Sequence, residues 1–300
     1  MEMAFEKVGF IGLGIMGAPM AKQLVKGGKK LHVWSNNRAK AEQFAKENGA
    51  VAAATPKQLA QDVDLIVLCV GTTDMSRQVL LGKDGVAQSG KKGLVVIDAS
   101  TISPEGSREI DEELKAAGIE YLGAPCTGSK AGAEGGTLTF MIGGRKEVFE
   151  QTKPVLQLMG KQFYFCGGPG MGLQAKLTQN LILANLMQAF NEGIVLATKG
   201  GVDPKVMFDI LDNSAAKSGL VSGKAPNIFK RNFETHFSTK WMHKDVSMAL
   251  ESGKSLNVPL PVTAVTQQMF EAAIAGGEAD ADFSATVKTM EKLAGVEVKA

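Results

Sequence analysis

Length, composition and charge limit what this chain can be: it has 300 residues, 21% of them charged, and a formal net charge of +2. A chain of this length tends to divide into two domains, and its nearly balanced charge argues against nucleic acid or a membrane surface as a partner, so we expect a small-molecule ligand. Its three cysteines, Cys69, Cys126 and Cys166, show no C-x-x-C spacing, which argues against a disulfide framework or a metal site and is typical of a cytoplasmic protein.

The N-terminal segment predicts a strand that leads into a nucleotide-binding turn. Charged residues precede its short apolar run at 8–11, which favours a strand over a signal peptide, and no apolar stretch of the chain is expected to reach transmembrane length. The glycines that follow have the spacing G-x-G-x-x-G: the first permits a tight turn, the second admits a pyrophosphate, and the third lets helix and strand pack closely. A helix is predicted from Ala18 to Lys26. The predicted dinucleotide site comprises Gly12, Leu13, Gly14, Ile15, Met16 and Gly17.

The turn after the second predicted strand, at residues 31–35, indicates which dinucleotide is bound. In NAD enzymes of this fold an acidic residue at this point takes the ribose hydroxyls, and its charge would repel a 2′-phosphate. This chain has no acid there before Glu42, whereas the guanidinium of Arg38 suits a phosphate. The turn therefore predicts NADP (NADPH) as cofactor. The predicted contacts are Ser35, Asn36, Asn37 and Arg38.

Strand and helix signals alternate up to residue 167 and predict a doubly wound sheet. Buried strands are expected at 64–70 and 94–98, and three more in IEYLGAP, LTFMIGG and KQFYFC. Thr55-Pro56 and Ser103-Pro104 each have the sequence of a cap followed by a proline at the start of a helix. Residues 1–167 are therefore expected to form an α/β Rossmann domain that binds NADP.

Loops at the carboxyl ends of these strands are candidates for ligand contacts, because ligands of such sheets bind there. They include Val70, Thr101 in the segment DAST, and a glycine-rich loop from Cys126 to Thr137. Successive N–H groups of that loop can form an anion-binding concavity, to which the hydroxyl of Thr127 adds a donor. A substrate carboxylate would suit it.

After Gly172 the periodicity changes to 3.6 residues, which predicts helices. Leu173 to Thr198 favours one helix of about 26 residues that joins the two domains. Residues 168–300 are expected to form an all-helical domain that carries the catalytic lysine. Its further helices are predicted at Asp203, around Trp241, at Pro261 and around Phe283.

A lysine and an asparagine stand one turn apart near the start of this long helix, in GMGLQAKLTQN. Lys176 and Asn180 share a helix face that continues through Ala184 and Met187. Hydride transfer to a carbonyl needs a proton donor for the oxygen, and a partly apolar pocket near a helix N-terminus lowers the pKa of a lysine toward that task. We expect the glycines before Lys176 to leave room for cofactor and substrate. The alternative is a solvated lysine.

Histidine is the other common proton donor in such reactions, and the chain has three histidines. His32 lies inside a predicted strand, His236 precedes a phenylalanine in a loop, and His243 adjoins Lys244. None has a partner pattern that indicates acid catalysis, and no nucleophilic cysteine with a partner histidine is apparent. Lys176 remains the favoured donor.

Four ordered motifs resemble those of the β-hydroxyacid dehydrogenases, a family that includes 3-hydroxyisobutyrate dehydrogenase and the glyoxylate/succinic semialdehyde reductases. GFIGLGIMGAPMA resembles the cofactor fingerprint, GAPCTGSKAGAEGGTL the substrate loop, GMGLQAKLTQN the catalytic helix and MHKDVSMAL a second cofactor-facing lysine motif. The substrate loop of the family usually reads Ser-Gly-Gly, whereas this chain has Thr127-Gly128-Ser129. A Ser-Gly-Ser version occurs in the glyoxylate/succinic semialdehyde branch, which favours that branch.

The resemblance implies functions for residues whose spacing alone is uninformative. Lys244 is expected to face the cofactor, Asp245 to reach the substrate from the second domain, and Phe237 to add an apolar wall. The implied catalytic pair is Lys176 with Asn180. The predicted substrate contacts are Thr101, Thr127, Gly128, Ser129, Phe237 and Asp245.

Three functions stay open at this point. The first is NADPH-dependent reduction of small aldehyde acids, such as glyoxylate or succinic semialdehyde, to hydroxy acids. The second is oxidation of a β-hydroxy acid, as in 3-hydroxyisobutyrate dehydrogenases, and the third is a non-catalytic binding relative of the same fold. By analogy, the helical domain suggests a homo-oligomer, either a dimer or a tetramer.

Overall fold

The computed structural model describes residues 5–300, and residues 1–4 of the predicted first domain lie outside that part. The described chain divides into two compact units, one that extends up to Lys176 and one that comprises Leu177–Ala300. The first unit is α/β and the second is helical.

Strands and helices alternate in the first unit. Its strands are β1 (Lys7–Ile11), β2 (Lys30–Trp34), β3 (Val51–Ala52), β4 (Leu65–Leu68), β5 (Val95–Asp98), β6 (Glu120–Gly123), β7 (Cys126–Thr127), β8 (Leu138–Gly144) and β9 (Gly160–Gly167). Its helices are α1 (Gly17–Lys26), α2 (Arg38–Asn48), α3 (Pro56–Asp62), α4 (Thr73–Leu81), α5 (Pro104–Ala116), α6 (Ser129–Gly135) and α7 (Lys146–Met159), with a 3-10 turn at Val86–Ser89.

One sheet joins the nine strands found within residues 5–300, in the order β3-β2-β1-β4-β5-β6-β8-β7, with β9 paired to β8. Strands β1 to β6 pair in parallel. Strand β8 is antiparallel to β6 and β7 and parallel to β9. The order 3-2-1-4-5-6 is that of doubly wound dinucleotide-binding sheets, which confirms the predicted fold class.

Apolar side chains cover both faces of this sheet. All four residues of β4, LIVL, are buried, as expected of a central parallel strand. Successive residues of β1 point to opposite faces, so Phe10 belongs to one apolar core and Ile11 to the other. The strands are thereby fixed in register, and their carboxyl ends meet at one edge.

Side-chain caps begin four of the helices that follow the strands. Asn37, Thr55, Thr72 and Ser103 each accept a backbone N–H from the first turn of α2, α3, α4 and α5. The caps predicted at Thr55-Pro56 and Ser103-Pro104 are thus confirmed. Each cap satisfies one N–H group that the helix cannot pair itself.

The second unit is built from helices, as predicted. It contains most of α8 (Met171–Lys199), then α9 (Pro204–Asp212), α10 (Gly219–Phe229), α11 (Thr239–Ser255), α12 (Pro261–Ala273) and α13 (Val287–Ala294), with a π-helical turn at Ile274–Glu278 and a 3-10 turn at Phe283–Thr286. Helix α10 has no counterpart in the predicted elements, because its glycines and Pro226 are poor helix formers. It forms because Val221, Ala225 and Ile228 enter the apolar core.

Helix α8 has 29 residues, and by length and composition it could cross a membrane, with a mean hydropathy of 1.3 over an 18-residue window. The expectation that no apolar stretch reaches that length is therefore wrong. Core helices of soluble proteins pass the same test, and a single such helix is weak evidence for a membrane span.

Candidate active site

The glycine turn after β1 has the geometry that its spacing predicts. Gly12 has a φ of 97°, which favours glycine, and a Cβ there would overlap the carbonyl oxygen of Cys69. A Cβ on Gly17 would overlap the carbonyl oxygen of Gly12. Gly14 differs, because a Cβ there would meet no atom within 4 Å. Gly12 and Gly17 are therefore required by the fold itself, whereas the space above Gly14 is open to a ligand.

Helix α1 begins at this turn without a side-chain cap. Its N-cap residue, Met16, makes no capping hydrogen bond, in contrast to the cap residues of α2 to α5. A helix N-terminus favours negative charge and offers N–H donors to it. The open space above Gly14 and the uncapped start of α1 together fit the phosphates of a dinucleotide.

The four residues after β2 that are predicted to contact the cofactor fall into two groups: two shape the turn and two are exposed. Ser35 is buried, and its hydroxyl accepts the N–H of Asn37 at 3.3 Å. The Asn37 side chain accepts the N–H of Lys40 at 3.1 Å as the cap of α2, so Ser35 and Asn37 shape the turn. Asn36 and Arg38 are exposed, and Arg38 Nε donates to Glu42 Oε1 at 2.7 Å. The guanidinium thus has an acidic neighbour four residues on along α2, at a spacing that places both side chains on one helix face.

Two loops at the carboxyl edge of the sheet are joined by a serine hydroxyl. Val70, after β4, donates its N–H to Ser100 Oγ after β5 at 2.8 Å. Ser103 donates its N–H to Thr73 Oγ1 at 3.1 Å, which adds a second link. The predicted contacts Val70 and Thr101 therefore emerge on neighbouring, cross-linked segments. The sequence does not predict this contact of Ser100, because nothing in DAST shows which backbone N–H its hydroxyl accepts.

The prediction of a loop from Cys126 to Thr137 is wrong, because most of this segment is regular secondary structure. Cys126 and Thr127 form β7 against β8, and α6 follows. The chain reverses between them through Gly128, with a φ of 131°, and Ser129, with a φ of 58°. A left-handed serine is uncommon and strained. An extended anion-binding loop is thus replaced by a tight turn, Thr127-Gly128-Ser129, before a short helix.

The glycines before Lys176 have a different purpose from the one expected. A Cβ on Gly172 would overlap the carbonyl oxygen of Met141 in β8, and one on Gly143 would lie 2.7 Å from the N of Gly172. These glycines let the start of α8 pack directly on the sheet backbone. The expectation that they leave room for cofactor and substrate is therefore wrong for Gly172.

Lys176 follows one turn later and is buried, with 7% of its surface exposed. Burial raises the pKa of the nearby Cys126 thiol to about 11, and the positive charge of Lys176 opposes that rise. The lysine charge therefore acts close to Cys126, next to the turn at Thr127. A thiol with this pKa stays protonated at neutral pH, so Cys126 is not a nucleophile here.

Asn180 lies one helical turn beyond Lys176 and is 2% exposed. Its Nδ2 donates to Asp245 Oδ2 at 2.6 Å, and Lys244 Nζ lies 3.2 Å from Asp245 Oδ1 as an ion pair. The second unit thus brings Asn180, Lys244 and Asp245 together. Phe237 is half-buried and packs edge-on against Phe283, with ring centroids 6.2 Å apart, so it belongs to the helical core as well.

The three histidines have other partners or surroundings. His32 lies in β2, where burial lowers its pKa. His243 Nε2 lies 2.7 Å from Glu271 Oε2, and His236 is exposed, with its backbone N–H donated to Asp282. None of these contacts involves a predicted substrate residue.

Two family models match almost the whole chain. Residues 7–168 match the model described as the NAD binding domain of 6-phosphogluconate dehydrogenase. Residues 170–290 match the model described as NAD-binding of NADP-dependent 3-hydroxyisobutyrate dehydrogenase. Both describe domains that bind a nicotinamide dinucleotide, which confirms the class of cofactor. The boundary after residue 167 stays a prediction.

Curated relatives match over nearly their full length. The 2-(hydroxymethyl)glutarate dehydrogenase of Eubacterium barkeri is 36% identical, over 97% of this chain and 97% of the relative. The 2-hydroxy-3-oxopropionate reductase of Escherichia coli is also 36% identical, over 96% and 98%. Glyoxylate/succinic semialdehyde reductase 1 of Arabidopsis thaliana is 33% identical, over 95% and 98%.

One solved structure also matches over nearly the full length of both chains. The 3-hydroxyisobutyrate dehydrogenase of Mycobacterium tuberculosis, crystallised with L-serine, superposes with a TM-score of 0.88 at 28% identity. The match covers 95% of this chain and 99% of that one.

Alanine substitutions at Gly17 and at Gly14 should affect stability and cofactor binding separately. Gly17→Ala should lower the melting temperature by several degrees, since overpacking costs about 1–3 kcal/mol. Gly14→Ala should leave the melting temperature within about 1 °C of wild type, because the added methyl group meets no protein atom. It should weaken binding of the nicotinamide cofactor about tenfold or more, because the methyl group takes space that the phosphates need. Calorimetry and cofactor titration measure both; equal cofactor affinity in Gly14→Ala would contradict this assignment.

Proposed function

Because this chain belongs to the β-hydroxyacid dehydrogenase family of nicotinamide-dependent oxidoreductases, we propose that it reduces small aldehyde acids to hydroxy acids, with NADPH as the reductant. The relatives named as 2-hydroxy-3-oxopropionate and glyoxylate/succinic semialdehyde reductases support this substrate class. The alternative is oxidation of a β-hydroxy acid, which the relative named as a 2-(hydroxymethyl)glutarate dehydrogenase favours. The two directions share one site and one proton-transfer group.

Lys176 is the group that moves the proton. The chemistry that a reduced nicotinamide would supply here is a hydride for the carbonyl carbon. Lys176 Nζ gives its proton to the carbonyl oxygen, so that the aldehyde becomes a hydroxyl group, and water then restores the ammonium. Asp245 accepts from the Asn180 amide and fixes its plane, so Asn180 offers a hydrogen bond of defined direction one turn from the lysine.

The observation that carries this proposal is the burial of Lys176 beside Asn180 on one face of α8. Lysine is almost never this buried on a structural helix unless it is paired or has a function, because desolvation of the ammonium is costly. A solvated lysine, the alternative interpretation, is excluded by its exposed fraction of 7%. The presence of this lysine also argues against a non-catalytic relative.

Lys176→Met should lower kcat by about 10² to 10⁴ while cofactor affinity stays within a few fold, because a positioned proton donor contributes that much. Methionine keeps the apolar stem, so the fold should persist. Lys130→Ala, at an exposed lysine of the same unit, is the matched control and should keep wild-type turnover. Near-normal kcat in a folded Lys176→Met chain would remove Lys176 from the mechanism.

The turn Thr127-Gly128-Ser129 is proposed to hold the substrate carboxylate. Thr127 supplies a hydroxyl at the end of β7, and the positive φ angles of Gly128 and Ser129 set the direction of the backbone N–H groups that follow it. Lys130 is paired with Glu134 at 3.7 Å on the exposed side of α6, so we assign it no part in binding.

A panel of aldehydes tests this carboxylate site and the direction of the reaction. Reduction of glyoxylate or succinic semialdehyde should exceed that of matched uncharged aldehydes by about tenfold or more in kcat/KM, because a charge-assisted hydrogen bond contributes about 1.5–3 kcal/mol. Thr127→Val should reduce this ratio. Equal kcat/KM for charged and uncharged aldehydes would reject the site, and faster oxidation of β-hydroxy acids would favour the alternative.

The preference for NADPH over NADH rests on the turn after β2. No carboxylate lies between β2 and Arg38, and Arg38 and Asn36 are exposed at the start of α2. The Arg38–Glu42 pair is solvent-exposed, with 83% and 55% of the side chains accessible. Such a pair contributes only a few tenths of a kcal/mol, so a 2′-phosphate can displace Glu42 from the guanidinium.

Arg38→Ala should lower kcat/KM for NADPH about tenfold and leave that for NADH nearly unchanged, because only NADPH carries the phosphate. Glu42→Gln removes the competing charge at the next turn and should keep or raise the NADPH preference. Steady-state kinetics with both cofactors measure the ratios. A wild-type preference for NADH would refute the proposal, and an unchanged ratio in Arg38→Ala would assign the phosphate to other residues.

We infer association into a dimer or tetramer from the surface of the second unit. Large apolar side chains that are 40% or more exposed recur there, among them Ile182, Leu186, Leu196, Val202, Val206, Ile210, Leu256, Val258, Val262, Val265 and Leu293. Val206 and Ile210 lie four residues apart on one face of α9. Neighbouring exposed apolar side chains such as this pair are typical of interfaces.

Light scattering of the purified chain should give the mass of a dimer or tetramer, and Val206→Glu with Ile210→Glu should lower it, because buried charge opposes association. Val51→Glu, at an exposed valine of the first unit, is the control and should leave the mass unchanged. A monomeric wild type would contradict the inference.

Location in the cytoplasm stays a prediction. The three cysteines form no disulfide in the described residues, in keeping with a reducing compartment. Subcellular fractionation would test it.

A further inference from the structure

Asp98 is a buried carboxylate that the mechanism above does not use. It ends β5, opposite Leu68 of β4 and Gly123 of β6, and is 1% exposed. Burial raises its pKa to about 6, although hydrogen bonds from Ser100 and Tyr121 oppose the rise. At neutral pH the ionised group is therefore a cost to stability that a neutral side chain would avoid.

The hydrogen bonds of Asp98 lead to the loops of the cofactor edge. Its Oδ1 accepts the N–H of Ser100 at 2.9 Å, and its Oδ2 accepts the hydroxyl of Tyr121 at 3.2 Å. Ser100, itself 2% exposed, accepts the N–H of Val70 at 2.8 Å. Asp98 is thus linked through one serine to the backbone after β4.

The carboxylate makes this link directional. An ionised carboxylate only accepts hydrogen bonds, so it holds the Ser100 backbone and draws the hydroxyl proton toward itself. The lone pairs of Ser100 Oγ are then left for the N–H of Val70. An asparagine at position 98 could present an amide N–H instead, and the hydroxyl would lose this fixed orientation.

We propose that Asp98 is a positioning residue for the cofactor: through Ser100 it holds the backbone of Val70, and with it the loop after β4, in the conformation that binds the nicotinamide dinucleotide. The inference rests on the proposed function and on the prediction from the sequence that the loops of Val70 and Thr101 contact the ligand. This function explains why the sheet contains a charge that lowers its stability. The charge keeps the ligand loop ordered, and an ordered loop loses less conformational entropy when it binds the cofactor.

The test compares Asp98→Asn and Ser100→Ala with a matched control in the full-length chain. Ser107→Ala is that control, because Ser107 is fully buried and its hydroxyl donates to Tyr121 at 3.5 Å, so it is joined to Asp98 through Tyr121 and not through Ser100. Dissociation constants for NADPH and NADH are measured by calorimetric titration, and melting temperatures are measured without cofactor at pH 8.

Asp98→Asn and Ser100→Ala should each weaken binding of the preferred cofactor about tenfold, the loss expected when one hydrogen bond to a partly buried N–H is removed. The double variant should bind within about twofold of the weaker single variant, because both act on one link. The melting temperature of Asp98→Asn should equal or exceed that of wild type, a result that a merely structural role would not give. Ser107→Ala should bind like wild type.

Three results would overturn the inference. Affinities of Asp98→Asn within about twofold of wild type would do so, as would a melting temperature of Asp98→Asn that falls in step with its affinity. An equal loss in Ser107→Ala would show a general effect of the buried cluster. A wild-type chain that binds neither cofactor would instead refute the proposed function, and this inference with it. Should Ser100→Ala fail to fold, Asp98→Asn alone decides.

Discussion

The parallel pairing of β1, β4 and β5 is the constraint on which the rest of the first unit depends. Ile11 lies opposite Leu68, and Leu68 lies opposite Asp98, so the three strands end at one level. The segments that follow them therefore emerge side by side at one edge of the sheet. A slip of one residue would turn every side chain of a strand to the opposite face, and burial on both faces prevents that slip. The cofactor turn, Val70 and Thr101 owe their proximity to this register.

Close packing of backbone on backbone adds the start of α8 to this edge. Gly172 and Gly143 let the first turn of α8 lie directly against β8, where any side chain would overlap a carbonyl oxygen. Lys176 follows one turn later and is buried, next to the strand that begins the substrate turn. The glycines of GMGLQAKLTQN thus act on the lysine by positioning its helix.

Sequence patterns found the elements whose signals are local. The fingerprint glycines, the caps at Thr55 and Ser103 and the long apolar helix lie where they were expected. Helix α10 was missed because its glycines and Pro226 oppose a helix, and burial of its apolar face overrides that preference. The sequence predicts a loop from Cys126 onward because β7 exists only through its pairing with β8, which no local signal shows.

By itself the sequence determined the fold class, the dinucleotide turn and the shared helix face of Lys176 and Asn180, because each follows from the period of a strand or helix or from the conformational freedom of glycine. Only the tertiary structure decided which polar groups meet across long separations. Asn180 binds Asp245 from 65 residues away, and Val70 binds Ser100 from 30 residues away. Neither contact has a signature in sequence, because a buried polar group takes whichever partner the packing of distant elements brings within hydrogen-bonding distance.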